Sequence, residues 1–324
     1  MKAVTCRRYG SPDMLAIETI ERPKPRRDEV LVRVTNSTVT SGDTRLRGFR
    51  GPLLFWLPLR LAFGVFRPRQ PITGMEFAGD VVALGSAVKG LRPGDRVFGM
   101  KLGGANAEYV TVKATAALAR CPDRLSDDQC AATPFGALSA LTFVRDTAEL
   151  RPGERILIYG ASGAVGVFAI QLAKILGAHV TAVSSARNLQ MVLDLGADRA
   201  LDYAAPDFRL EAEAYDVILD TVGATRFSQC RHALGPTGRH VFAEVDGGRL
   251  LQSLWTSFCS GPRVLCGFSA GDSPEDMTLI ARHLDRGVLR PVIDRRYTMA
   301  QIIEAHRYVE LGRKRGAVVI RVAD

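Results

Sequence analysis

The sequence predicts an α/β chain of two domains: an antiparallel, barrel-like β domain and a doubly wound parallel-sheet domain. Three observations predict it. Residues 1–125 hold short alternating runs (Val30–Asn36, Phe77–Leu84, Arg96–Met100 and Glu108–Val112) divided by Gly and Pro, the spacing of antiparallel strands. Residues 126–290 alternate strand-like and helix-like segments, the pattern of βαβ units on a parallel sheet. A glycine-rich turn then stands between an apolar run and a helix-like run inside that second zone. The tail has a helix over Met299–Leu311 and a strand over Ala317–Val322. It resembles the first zone, so residues 291–324 are expected to fold back onto 1–125, with 126–290 as the inserted domain.

At 324 residues, 47% of them hydrophobic, the chain is long enough for two domains of roughly 100–200 residues and too apolar for disorder. Met1-Lys2-Ala3-Val4 reads as a strand rather than as a targeting leader. The most apolar stretch, Leu53–Phe66, is broken by Pro58 and Arg60 and is shorter than the ~20 residues of a membrane-spanning helix. The six cysteines form no C-x-x-C pair and read as reduced thiols in a cytoplasmic protein. Net charge is +9, but 36 of the 43 basic residues are scattered Arg, and no block of five like charges exists. A basic surface could steer nucleic acid or an anionic cofactor, but the scatter reads as a compositional habit, and no nucleic-acid partner is expected.

Arg155–Tyr159 is a short apolar run suited to a strand buried on both faces. Gly160-Ala161-Ser162-Gly163-Ala164-Val165-Gly166 follows, then an apolar helix that stops at Gly177 and a second strand, His179–Val183. A pyrophosphate binds where unpaired N–H groups and the positive end of the dipole converge at a helix start. A side chain at Gly163 would block the phosphates, and Gly166 lets helix and strand pack closely. Ala161 replaces the first glycine of G-x-G-x-x-G, with Gly160 just before it. The competing reading is an ordinary strand–helix turn, and the strand–turn–helix–strand context favours the dinucleotide. Ala161, Ser162, Gly163, Ala164 and Val165 are therefore candidate cofactor contacts.

An NAD site places an acidic residue about 20 positions on. Here stand Ser184, Ser185, Ala186 and Arg187, a set suited to the 2′-phosphate of NADPH. Ser184 and Ser185 equally suit a cap on the next helix, Asn188–Leu195, and the two roles are compatible. Tyr203 is placed either near the adenine or phosphate or in plain core packing. Asp216–Asp220 reads as the fourth strand, so Thr221, Val222 and Gly223 should pass near the nicotinamide half. Strands over Arg239–Val245 and Val264–Ser269 would complete the sheet.

These residues resemble the medium-chain dehydrogenase/reductase superfamily in its quinone oxidoreductase-like branch. Further marks are Met1-Lys2-Ala3-Val4 with Tyr9-Gly10, Glu29–Val34, Gly74-Met75-Glu76-Phe77-Ala78-Gly79, Pro93–Gly99 and Ala107-Glu108-Tyr109-Val110. The resemblance implies a GroES-like barrel domain for the substrate, a Rossmann domain for the cofactor and an active site in the cleft between them. It also implies a homodimer joined through edge strands near Val264–Ser269. Zinc-dependent relatives carry Cys where this chain has Thr40 and His where it has Met75, and the four-Cys loop is absent. A hydroxyl and a thioether do not suit Zn²⁺, so no metal is expected.

The expected reaction is hydride transfer from NADPH to a small-molecule acceptor, a quinone or an α,β-unsaturated carbonyl, without zinc. The resemblance places Thr40-Ser41-Gly42-Asp43-Thr44-Arg45 at the active-site turn. Thr40 is a candidate hydrogen-bond donor to the acceptor oxygen and Arg45 a candidate cation for the developing anion; loop scaffolding is the plainer role for both. Asp43 is expected to hold the turn together. No Tyr lies between Tyr9 and Tyr109, so the proton is assigned to water. Gly51–Pro71 is apolar, basic and longer than the usual link in the family. Its readings are a pocket wall or lid, a protein or membrane contact, or a helix packed on the barrel. Rival functions are a zinc-free alcohol or aldehyde oxidoreductase and a non-catalytic NADPH-binding protein of the zeta-crystallin kind, with an RNA-binding role.

Overall fold

A computed structural model describes residues 1–49, 56–204, 211–267 and 273–322. In chain order the strands are β1 (Lys2–Cys6), β2 (Leu15–Thr19), β3 (Glu29–Thr38), β4 (Glu76–Leu84), β5 (Arg96–Met100), β6 (Tyr109–Lys113) and β7 (Leu118–Arg120). There follow β8 (Arg155–Tyr159), β9 (His179–Ser184), β10 (Arg199–Asp202), β11 (Tyr215–Asp220), β12 (Leu234–Phe242) and β13 (Arg263–Cys266), and then β14 (Ile293–Thr298) and β15 (Ala317–Arg321).

The described residues fall into two compact units, one of 1–49, 56–135 and 273–322, the other of 136–204 and 211–267. The boundaries differ from those expected at 125/126 and 290/291. Helix Asp127–Ala131 packs on β3 and β4, and helix Pro274–Asp285 packs on β7, so both join the first unit.

In the first unit β3 is the hub, pairing antiparallel with β4, β6 and β15. The order is β14-β15-β3-β4-β5-β7, and the end strands β7 and β14 are not hydrogen-bonded to each other, so the barrel is an open one. Two register shifts between β3 and β4 bend the sheet around a core of Val30, Val32, Val34, Phe77, Val97 and Val110. An all-antiparallel sheet was expected, yet β14 and β15 run parallel. Helix Ile302–Glu310 lies between them and makes the crossover that parallel neighbours require. A second core joins Val4, Leu15, Val39, Tyr297, Ile302 and Ile320, fastening the C-terminal strand to the N-terminal one.

The second unit is a six-stranded, wholly parallel sheet in the order β10-β9-β8-β11-β12-β13, the doubly wound arrangement with its reversal between β8 and β11. Ile156, Leu157, Ile158, Val217, Ile218 and Leu219 are fully buried, as a sheet covered on both faces requires. β12 starts at Leu234, five residues earlier than expected, because a register shift opposite Tyr215–Val217 accommodates Gly235–Gly238. β13 ends at Cys266, while Phe268 and Ser269 of the expected strand lie outside the described residues. Among the described residues no helix is long and apolar enough to cross a membrane.

Ile320→Ala should cost roughly 2–5 kcal/mol, the usual range for a buried Ile. Hydrogen exchange should quicken in β1 and β3 while β8 and β11 keep their protection. Equal loss in both units would contradict the assignment of β15 to the first core.

Candidate active site

β8 ends at the reversal of strand order, and helix Ala164–Ile175 starts five residues later. Gly160 makes that turn at φ +77°, and a Cβ on it would lie 2.6 Å from Thr221 Oγ1 and 2.7 Å from Val222. A Cβ on Gly166 would lie 2.7 Å from Ala161 backbone atoms, so the helix reaches the strand only without one. At Gly163 the nearest protein atom to such a Cβ is Gly160 O, at 3.4 Å, which leaves its outer side open. Gly163 is the N-cap and provides no side-chain cap, so the first-turn N–H groups of Ala164 and Val165 face that opening without a side-chain acceptor. Ala161 is buried.

Ser184, Ser185 and Arg187 follow at the end of β9. Ser184 Oγ is buried with no hydrogen-bond partner among the described residues, and Arg187 is exposed. Ser185 is the N-cap of the short 3₁₀ turn Ala186–Asn188, but its side chain makes no capping bond. Instead Asn188 Nδ2 donates to both Ser185 Oγ (3.0 Å) and Ser162 Oγ (3.1 Å), tying the glycine turn to the end of β9. Tyr203 is 63% exposed, which removes its core-packing reading; its N–H donates to Ser184 O (3.1 Å).

Thr221–Gly223 is shaped from beneath by Asp220. This fully buried carboxylate accepts the N–H groups of Val222 (3.0 Å), Gly223 (2.7 Å) and Thr225 (2.7 Å) and the hydroxyl of Thr225 (2.6 Å). Thr225 Oγ1 lies 3.0 Å from His240 Nε2, and burial pushes that imidazole down to about 4, keeping it neutral. Thr221 Oγ1 donates to Tyr159 O (2.9 Å), and Arg249 Nη2 donates to Gly223 O (2.8 Å). Asn188, Asp220, Thr225, His240 and Arg249 escaped the sequence reading. Only Asp220, an acid closing an apolar strand, carried a local signal.

In the first unit Thr40 caps helix Ser41–Gly48 in a reciprocal capping box. Its hydroxyl donates to Asp43 Oδ2 (2.7 Å) and accepts from Asp43 N (3.1 Å), while Thr40 N donates to the same carboxylate (2.8 Å). The expected donation from Thr40 to an acceptor oxygen is therefore corrected: its single proton is directed at Asp43, and Thr40 is 4% exposed. Arg45 is exposed on the same helix. Met75 Sδ packs where a Cβ on Gly42 would sit, 3.8 Å from Thr40 Oγ1. Beneath lies Glu76, which accepts from Thr38 Oγ1 and from Phe135 N (2.6 Å). Burial pushes Asp43 up to about 6 and Glu76 up to about 7, and lowers Lys314 to about 8, the nearby carboxylate of Glu76 opposing that fall. Among the described residues no three His, Cys, Asp or Glu side chains group to hold a metal ion. A committed hydroxyl and a thioether at positions 40 and 75 do not fit zinc.

Two family models match: "Alcohol dehydrogenase GroES-like domain" over residues 26–123 and "Zinc-binding dehydrogenase" over residues 195–320. The chain is 30% identical to "NAD(P)H oxidoreductase RTN4IP1, mitochondrial" of Danio rerio, covering 100% of this chain and 92% of that protein. It is also 30% identical to "2-methylene-furan-3-one reductase" of Solanum lycopersicum, over 99% and 79%. Among solved structures, the quinone oxidoreductase from Coxiella burnetii superposes with a TM-score of 0.87 at 27% identity, over 100% and 99%. The fold and the relatives are those of a nicotinamide-dependent oxidoreductase. The chain belongs to the medium-chain dehydrogenase/reductase superfamily, in its quinone oxidoreductase-like branch.

Between pH 4.5 and about 7 the folded chain holds a proton on Glu76 that the unfolded chain has lost. The stability this group contributes is therefore complete below 4.5 and falls as pH rises through about 7. The stability of wild type minus that of Glu76→Gln should fall from pH 5 to pH 8, by up to roughly 3 kcal/mol. Denaturation at both values measures it, and a signed difference that stays constant or rises contradicts a buried, proton-holding Glu76.

Proposed function

We propose that this protein is a zinc-free, NADPH-dependent reductase of quinones or α,β-unsaturated carbonyls. One observation carries the cofactor reading: an open, uncapped helix start at Gly163 stands beside a buried, unpartnered Ser184 hydroxyl, with Ser185 and Arg187 next to it. The amides of Ala164 and Val165 would hold the pyrophosphate. Ser184, Ser185 and Arg187 would hold the 2′-phosphate, with exposed Tyr203 beside them. Thr221–Gly223, fixed by Asp220, would flank the nicotinamide half. When bound, NADPH supplies the hydride.

The chain's own part is orientation and charge. Arg45 is assigned to the anion that develops on the acceptor, and Thr40 to positioning through Asp43. The proton comes from water. The donor set at Thr40 and Met75 supports a reaction without zinc. The relatives named as an NAD(P)H oxidoreductase and as a reductase of an unsaturated ketone support the acceptor class. We also assign a homodimer and a cytoplasmic setting. β13 is an open sheet edge among the described residues, and helix Gly247–Ser257 packs against it. Exposed Leu251, Leu254, Trp255 and Phe258 lie on or beside that helix, and a second copy would cover them. The cysteines carry free thiols, four of them buried.

The test is oxidation of NADPH and NADH with a panel of quinones, enones and aldehydes, in wild type and Arg187→Ala. Quinones or enones should be reduced. The variant should lose roughly tenfold or more in kcat/KM for NADPH, as expected for a lost charged hydrogen bond, with NADH changed little. Equal weakening of both cofactors contradicts the 2′-phosphate assignment, and turnover of aldehydes alone contradicts the acceptor class.

A further inference from the structure

The first unit contains a cavity of ≈ 450 Å³ bordering the active-site turn at Asp43 and Met75. That is space for a drug-sized ligand. Its apolar lining comes from Leu46, Ala62, Phe63, Ile72, Met75 and Leu102. Two of these belong to the unusual segment. Helix Trp56–Phe63 is fastened to the unit at its C-terminal end: Tyr9 Oη donates to Phe63 O (3.0 Å) and Gly64 O (3.1 Å). The Arg60 guanidinium sits over the rings of Phe49 (4.0 Å), Tyr9 (4.6 Å) and Trp56 (5.1 Å) and donates to Val65 O (2.6 Å). The segment is thus a fixed wall.

The cavity also has charged neighbours, and those beside the turn are already engaged. Arg47 pairs with Glu310 and donates to Gly10 O, and Asp43 is held by Thr40. Arg69 is exposed. An uncharged, apolar group can therefore enter without displacing an ion pair.

We propose that this cavity holds the apolar tail of the acceptor, so that the substrate is a neutral carbonyl with a medium-length or longer alkyl or prenyl chain. This inference rests on the reductase reading above. A four-carbon enone leaves most of the lining uncovered. An eight-carbon one covers it, gaining up to roughly fourfold per buried methylene, the ratio equivalent to ~0.8 kcal/mol.

The experiment compares but-1-en-3-one with oct-1-en-3-one under NADPH, in wild type and in two variants that fill the cavity from different walls, Leu46→Trp and Leu102→Trp. Calorimetric binding of the inert octan-3-one to each protein is measured in parallel. Wild type should favour the longer enone at least tenfold in kcat/KM, chiefly through KM. Either tryptophan should collapse that ratio and abolish octan-3-one binding while NADPH still binds. Equal kcat/KM for the two enones in wild type overturns the inference, as does a ratio preserved in both variants. If neither enone is reduced but octan-3-one binds wild type and neither variant, the reductase reading falls and the apolar cavity assignment stands.

Discussion

The close crossing of the β8 turn with the helix that follows is the constraint on which the rest depends. The chain leaves the sheet at the reversal of strand order and enters a helix whose first turn has no side-chain cap and stays open at Gly163. Side chains at 160 and 166 would strike Thr221, Val222 and Ala161, so the backbone passes only as glycine. Once it passes, everything around it is fixed from behind. Asp220 gathers three backbone N–H groups and a threonine hydroxyl into the neighbouring loop, and Asn188 joins the turn to the end of β9. Polar groups that face the opening are thereby positioned by groups that do not.

The first unit solves a different problem. Two carboxyl groups are buried here, Asp43 in the turn at 40–45 and Glu76 beneath it, and among the described residues no three His, Cys, Asp or Glu side chains group to hold a metal ion. Hydrogen bonds from Thr40 to Asp43, and from Thr38 and Phe135 N to Glu76 together with the charge of Lys314, offset part of their desolvation; the rest shows as carboxyls raised to about 6 and about 7. The turn is thus rigid and inward-looking. That arrangement ties the Thr40 hydroxyl to Asp43, while Arg45 is exposed on the same helix.

Much of this was legible in the sequence because it rests on local rules. β8 and β11 are continuous apolar runs, and the glycine turn between strand and helix declares itself. Ser184, Ser185 and Arg187, on which the proposed 2′-phosphate site rests, stand in plain sequence at the end of β9. What stayed hidden rests on distant contacts. Asn188 read as the first residue of a helix because nothing local shows its amide reaching Ser162, 26 positions away. The direction of the Thr40 hydroxyl depends on a side chain three residues on, and a capping box looks the same in sequence whether or not the hydroxyl is free for a ligand. Residues 127–131 and 274–285 fall inside the 126–290 zone by adjacency in the chain, whereas the packing of their helices on β3, β4 and β7 decides otherwise. Of the Gly51–Pro71 segment, 51–55 lies outside the described residues. How the remainder is attached shows only in the Tyr9 and Arg60 contacts that fasten it.

The central claim is that this oxidoreductase site works without zinc. It is tested most directly by elemental analysis of the purified, catalytically active protein, combined with turnover before and after treatment with a strong chelator. The account predicts well under one zinc per chain and an unchanged rate after chelation. One tightly held zinc per chain, lost together with activity and restored with it, would contradict it.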